Sequence, residues 1–229
     1  RKGVRANHSV THLLHAALRR NLGKHVTQKG SLVGPNKMRF DFSTPNQLSR
    51  ELIGNIEFDV NRQIRMNTPV MTRVMDPESA IKAGAMALFG EKYGEEVRVV
   101  TMGLEDEEAY SVELCGGTHV GYTGDIGICK IISESAVSAG IRRIEVVTGR
   151  DAEEFFQEQE SILLSLSELM KSKTSELTVR IGQVLDDRKR TERELIDIRR
   201  KLTTGNHVNK KIEIEKIGNI RFLSKTVHN

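Results

Sequence analysis

Apolar residues recur along the first part of the chain with a helical period. From Asn7 to Leu22, Val10, Leu13, Leu14, Ala17 and Leu18 form one stripe, which predicts an amphipathic helix. Strand-like runs follow around Met38–Phe42, Val97–Met102, Tyr110–Leu114, Ile126–Ile132 and Arg143–Val147, with helical patterns between them at Gln47–Met66 and Pro77–Phe89. Strands grouped this way, without regular βα alternation, predict an α+β domain over residues 1–150 rather than a doubly wound one. Gly103 and Gly127 read as turns.

Beyond Asp151 the pattern changes. Positions 177, 181, 184, 188, 191, 195, 198 and 202 alternate steps of four and three, a heptad seam interrupted by Arg188 and Thr191. Phe155, Ile162, Leu166 and Leu169 mark an earlier helix. Lys171–Ser175 reads as the turn, with Thr174 or Ser175 capping the second helix. An antiparallel helical hairpin, a coiled coil over 151–204, is the simplest reading. From 205 to 229 the alternating Ile212-Glu213-Ile214-Glu215 begins something strand-like, too short for a domain.

Composition narrows the class. The 229 residues carry 35 Lys plus Arg against 31 Asp plus Glu, with 38% hydrophobic residues, 7 Phe, 3 Tyr and no Trp. No apolar run approaches the ~18 residues of a membrane helix, and no signal core precedes the first helix. The expectation is a cytoplasmic, non-membrane chain cut from a longer one. Arg1, Lys2, Arg5, Arg19, Arg20, Lys24, Lys29, Lys37 and Arg39 all precede the first acid, Asp41, a basic start suited to a polyanion such as nucleic acid. Cys115 and Cys129 are too few for a disulfide framework.

The candidate chemistry lies in two segments. His8 and His12 share a helix face one turn apart, and His15 lies near the same face, so spacing leaves the pair among the three open. Cys115-Gly116-Gly117-Thr118-His119 joins a soft thiolate and an imidazole through a flexible link, and two His with this Cys and His make a tetrahedral set suited to zinc. No His-Glu-x-x-His, Gly-x-Ser-x-Gly or phosphate-binding Gly-Lys-Thr motif occurs.

The stretch from His8 to Leu18 resembles the opening helix of the editing domain of alanyl-tRNA synthetases of bacterial type. The resemblance continues through His25–Ser31, Arg39–Phe42, Gly84–Gly94, the Cys115–His119 loop, Thr123–Gly127 and Gly140–Glu145, and spans nearly all of 1–150. The helical linker of that family fits 151–204, and the tail looks like the start of its C-terminal domain. The related threonyl editing domain usually has Arg-Gly-Pro where this chain has Gly116-Gly117-Thr118, and lacks the linker. Ser9-Val10 replaces a commoner Thr-Ala, and Cys129 stands where Phe is frequent.

The resemblance implies one zinc site made by His8, His12, Cys115 and His119, not His15. It implies hydrolysis of serine or glycine wrongly esterified to alanine tRNA, with the acceptor end of tRNA(Ala) as partner. Gln28 and Thr11 are the candidate catalytic residues. Gly116, Gly117 and Thr118 are candidates for binding substrate through their amides. Arg19, Arg20, Lys24 and Lys29 are candidate phosphate contacts. ATP and Mg2+ belong to a synthetase domain that this chain lacks, so no ligase activity is expected. Self-association is expected through the hairpin or the C-terminal domain. The rival reading is a non-catalytic, zinc-stabilised module that binds tRNA.

Overall fold

In a computed structural model of the chain, the structure describes residues 1–86, 94–205 and 215–222. It divides into two units, Arg1–Gln159 and Glu160–Asn229. The first holds the α+β architecture predicted from the pattern, with helices α1 (Lys2–Leu22), α2 (Arg50–Met66) and α3 (Pro77–Lys82) and two antiparallel sheets. One sheet has the order β1-β2-β7-β6, from Gln28–Val33, Met38–Ser43, Ile141–Thr148 and Cys129–Ser138. The other has the order β3-β4-β5, from Met71–Met75, Val97–Glu105 and Glu108–Leu114.

The predicted stripe on α1 is fully buried at Val10, Leu13, Leu14, Ala17 and Leu18, and burial extends to Asn7, Ser9, Thr11, His12 and His15 on its other faces. A helix covered almost all round is a central element. It packs on α2, β2, β5 and β7 in the middle of the core, which is why polar groups near its start are held inside the fold. Strand β2 alternates cleanly, with Met38, Phe40 and Phe42 inward. Helix α2 starts where the Ser49 hydroxyl accepts from the Leu52 amide at 3.1 Å, and stops at Asn67 in the left-handed conformation.

Several predicted boundaries move. The helix predicted over Pro77–Phe89 ends at Lys82, because Gly84 turns the chain at φ 82° and Met86 then bridges to β5; residues 87–89 of that prediction lie outside the described residues. The strand predicted at Ile126–Ile132 starts at Cys129, since Thr123–Ile126 forms a 3₁₀ turn closed by Gly127 at φ 82°. Gly103 is not a turn but a kink inside β4 at φ 73°, where a Cβ would meet Gln63 Oε1 and Tyr110 Cβ at 2.7 Å. Strands β1 and β3 were not predicted: β1 buries no residue fully and β3 is exposed from Met71 to Val74, so neither shows a buried apolar face in sequence.

At the end of the first unit the chain enters helix α4 (Gly149–Met170). In the second unit a 3₁₀ turn at Thr174–Glu176 leads into α5 (Leu177–Gly205). This gives the two successive helices that the heptads predicted. Neither Thr174 nor Ser175 caps α5. The cap position of the 3₁₀ turn is Lys173, without a side-chain bond, and the Thr174 hydroxyl instead pairs with Ser167 at 3.0 Å. Seam positions Ile181, Val184, Leu195, Ile198 and Leu202 are exposed. Strands β8 (Glu215–Ile217) and β9 (Ile220–Phe222) pair as a short antiparallel hairpin; Ile212–Ile214 of the predicted alternation lie outside the described residues.

Candidate metal centre

Two elements distant in sequence build the site. Helix α1 supplies His8 and His12 from one face, and the segment leaving β5 supplies Cys115 and His119. One ligand atom from each of the four lies within 4.8 Å of the others, so the cluster can hold a metal ion. Cys115 Sγ is 3.5 Å from His8 Nε2 and 3.3 Å from His119 Nε2. A tetrahedral zinc ion with ordinary Zn–N and Zn–S bonds separates its nitrogen and sulfur ligands by about 3.5 Å, so the spacing fits. His12 Nε2 and His15 Nε2 are both buried without a hydrogen-bond partner among the described residues, and of the two residues only His12 belongs to the cluster.

Each imidazole is held from behind through Nδ1. His8 Nδ1 lies 3.3 Å from the Thr118 carbonyl, His12 Nδ1 lies 2.6 Å from Glu113 Oε2, and His119 Nδ1 lies 3.1 Å from the Ser9 hydroxyl. Protonated there, all three rings turn the Nε2 lone pair toward the cluster, the arrangement in which ligand histidines are oriented by outer partners. Ser9 also accepts from the Val120 amide at 3.2 Å. Its hydroxyl therefore joins α1 to the His119 loop, which is the chemistry a Thr in its place would share. Sequence reasoning missed Glu113; its place two residues before Cys115 is the signal that could have found it.

The loop itself is shaped for this approach. A Cβ on Gly117 would collide with the His8 ring. Arg98 donates to the carbonyls of Gly117 and Cys115 and to the Thr72 hydroxyl, pinning the loop against β4. The Gly117 amide donates to Cys115 Sγ at 3.4 Å. That bond commits it to the Cys115 sulfur, whereas Gly116 and Thr118 are exposed.

Electrostatics agree with a ligand thiolate. Burial alone would push the Cys115 thiol up, but the neighbouring imidazoles of His119, His12 and His8 and the Gly117 amide hold it down to about 3. Burial lowers His119. Burial also opposes charge on His12, yet Glu113 raises it, while His12 and His15 keep the buried Glu113 carboxylate ionised. By contrast Cys129 is fully buried and its thiol is pushed up by burial, the behaviour of a core residue.

The other expected site residues fall differently. His15 stays out of the cluster: its Nδ1 lies 3.0 Å from Glu113 Oε1 and its ring packs on Phe40. The Thr11 hydroxyl donates to the Asn7 carbonyl at 2.8 Å, the bond of an ordinary helical threonine. Gln28 opens β1 at a bulge, where the register with β2 shifts between Gln28 and Gly30, and its amide donates to the Ser31 hydroxyl at 3.2 Å. Arg19 donates to the carbonyls of Lys24 and Val26, closing the loop after α1, and Arg20 pairs with Glu105 over the Tyr110 ring. Both guanidiniums are thus engaged within the fold, with Arg20 still exposed, and Lys24 and Lys29 are exposed as well.

Nearly the whole chain is similar to known proteins. Residues 97–145 match the family described as the threonyl and alanyl tRNA synthetase second additional domain, a span that includes Cys115 and His119. The chain is 51% identical over 230 residues to an alanine–tRNA ligase of Granulibacter bethesdensis, covering 99% of the chain and 26% of that protein. It is 50% identical over 232 residues to that of Sphingopyxis alaskensis, with the same coverages. It is 55% identical over 205 residues to that of Paramagnetospirillum magneticum, covering 90% of the chain and 23% of the relative. The chain thus spans about a quarter of the length of the curated relatives it matches. Such identity along nearly the whole chain means that it belongs to the alanine–tRNA ligase family and represents a segment of such a protein, built around the editing domain.

Proposed function

We propose that this segment hydrolyses mischarged Ser-tRNA(Ala) and Gly-tRNA(Ala) at a zinc-containing editing site. The observation that carries the reading is the convergence of His8, His12, Cys115 and His119, one ligand atom from each within 4.8 Å of the others. The need for such a site is physical: a pocket made for alanine cannot exclude the smaller glycine, and it rejects serine poorly because serine adds only a hydroxyl. A second site must remove what the first admits. On this reading residues 1–150 are the editing domain, 151–204 the helical linker and 205–229 the start of a C-terminal domain.

A bound zinc ion would supply positive charge that holds and polarises the aminoacyl group. The rest falls to the chain. Water adds to the acyl carbon, the bond to the ribose oxygen breaks, and a proton passes to that oxygen as the free amino acid leaves. The aminoacyl ester is already activated, so no Ser-His-Asp arrangement is required. Gln28, re-aimed by the bulge at the start of β1, orients the ester or the attacking water through its uncharged amide. Thr11, its proton committed to Asn7, accepts a hydrogen bond from the substrate through its remaining lone pairs. The amides of Gly116 and Thr118 face the developing oxyanion. Lys24 and Lys29 contact phosphates of the acceptor end, in keeping with a cytoplasmic location. The exposed seam of α5 supports self-association.

Deacylation of serine-charged alanine tRNA by the chain tests this reading, beside folded Cys115→Ala and Gln28→Ala variants. Hydrolysis is expected from the parent and a fall of at least tenfold from each variant, with tRNA binding retained by Gln28→Ala. Saturating tRNA binding without hydrolysis by the parent would instead establish a non-catalytic, metal-stabilised module.

A further inference from the structure

Among the described residues, Glu113 places a buried carboxylate against His12 from the core side of the cluster. It lies on β5 two positions before Cys115, where an extended chain turns both side chains the same way, and it is only 5% exposed. Its oxygens are divided. Oε2 faces His12 Nδ1 at 2.6 Å, while Oε1 faces His15 Nδ1 at 3.0 Å and the Ser111 hydroxyl at 3.4 Å. His12 and His15 are three apart on α1 and present to the same side, so one carboxylate spans both rings.

We propose that Glu113 is a positioning residue of the metal centre: clamped by His15 and Ser111, it fixes His12 as the Nδ1–H tautomer and supplies the buried negative charge that the four ligands lack. The inference rests on reading the His/Cys cluster as a metal centre. Cys115 as thiolate brings one negative charge and three neutral imidazoles bring none, so a divalent cation would leave the site with a net positive charge inside the core. The Glu113 carboxylate, one imidazole away, cancels it. Burying an uncompensated charge is costly, so the carboxylate favours the loaded site. The clamp also accounts for His15. Its Nδ1 is committed to Glu113 and its ring lies tilted against Phe40 with centroids 5.4 Å apart, so a residue that spacing offers as a third helical ligand acts instead through the carboxylate.

The test titrates the metal-free 229-residue chain with Co2+ and follows the thiolate-dependent charge-transfer and d–d absorption. The parent, Cys115→Ala and Glu113→Gln are compared, with far-UV circular dichroism on each metal-free protein. Gln keeps the shape and can still accept from His12 but loses the charge. Co2+ affinity is therefore expected to fall about 10- to 100-fold in Glu113→Gln while the metal-free fold is retained. Binding by Glu113→Gln within twofold of the parent, with Cys115→Ala losing the absorption, overturns the proposal and leaves the metal centre standing. A parent without Cys115-dependent absorption overturns both. Should Glu113→Gln fail to fold, long-range nitrogen–proton correlation spectra of the zinc-loaded parent decide the matter. They are expected to show the proton on Nδ1 of both His12 and His15, and a His15 protonated only at Nε2 overturns the clamp.

Discussion

Single residues in this protein have roles set by what lies a few ångströms away. Gly117 is the sharpest case. It needs no unusual backbone angle, but its missing Cβ makes room for the His8 imidazole. Gly117→Ala must push that ring out of line with Cys115, at a cost of about 1–3 kcal/mol for overpacking. Zinc affinity, measured by competition with a chromophoric chelator, is expected to fall by at least tenfold, while urea unfolding of the metal-free protein shows a loss no larger than that overpacking cost.

The paired carboxylate Asp41 shows a different kind of dependence. Arg143 donates to both of its oxygens at 2.7 Å across the β2–β7 pair, and this hydrogen bonding holds the Asp41 carboxyl below the usual carboxylate range. A lowered pKa in the folded state means stability that is present above the ordinary value near 4 and lost as the pH falls through the lowered one. Asp41→Asn is therefore expected to cost about 1 kcal/mol in urea unfolding at pH 7 and close to nothing in strong acid.

Among the elements, α1 carries the most. Its apolar stripe was plain in the sequence, and so was the turn spacing that groups His8, His12 and His15. What the sequence left open was which two of the three would serve. Packing chose: β5 approaches α1 with Glu113 inward and captures Nδ1 of His12 and of His15, leaving His12 Nε2 toward Cys115 while His15 meets Phe40. Strands β1 and β3 were illegible for the opposite reason, since they lie at sheet edges and bury too little to impose alternation. Arg19 and Arg20 are candidate phosphate contacts from the sequence, and the fold adds partners that the sequence could not show, the carbonyls of the following loop and Glu105. Charge in sequence carries no information about which partner the fold will bring.

At the scale of the molecule, the His/Cys cluster links the start of the chain to a loop about a hundred residues later, so metal binding should stabilise the first unit as a whole. A ligand present at a hundred times its dissociation constant adds about 2.7 kcal/mol, which for a unit of this size raises the melting temperature by roughly 5–10 °C. Differential scanning calorimetry with zinc and with excess chelator is expected to show that shift for the parent and none for Cys115→Ala. An equal melting temperature with and without zinc would detach the cluster from the stability of the unit.

The sequence by itself determined the α+β class, the amphipathic first helix, the two helices that follow the domain and, with the help of family resemblance, the four residues of the cluster. These are properties of period, spacing and residue type, and they survive without knowledge of neighbours. Tertiary structure alone decided that Gly117 must be bare, that Ser9, Thr118 and Glu113 hold the three imidazoles from behind, and that His15 serves the carboxylate. Those roles depend on contacts between α1 and the end of β5, segments that only folding brings to within hydrogen-bond distance.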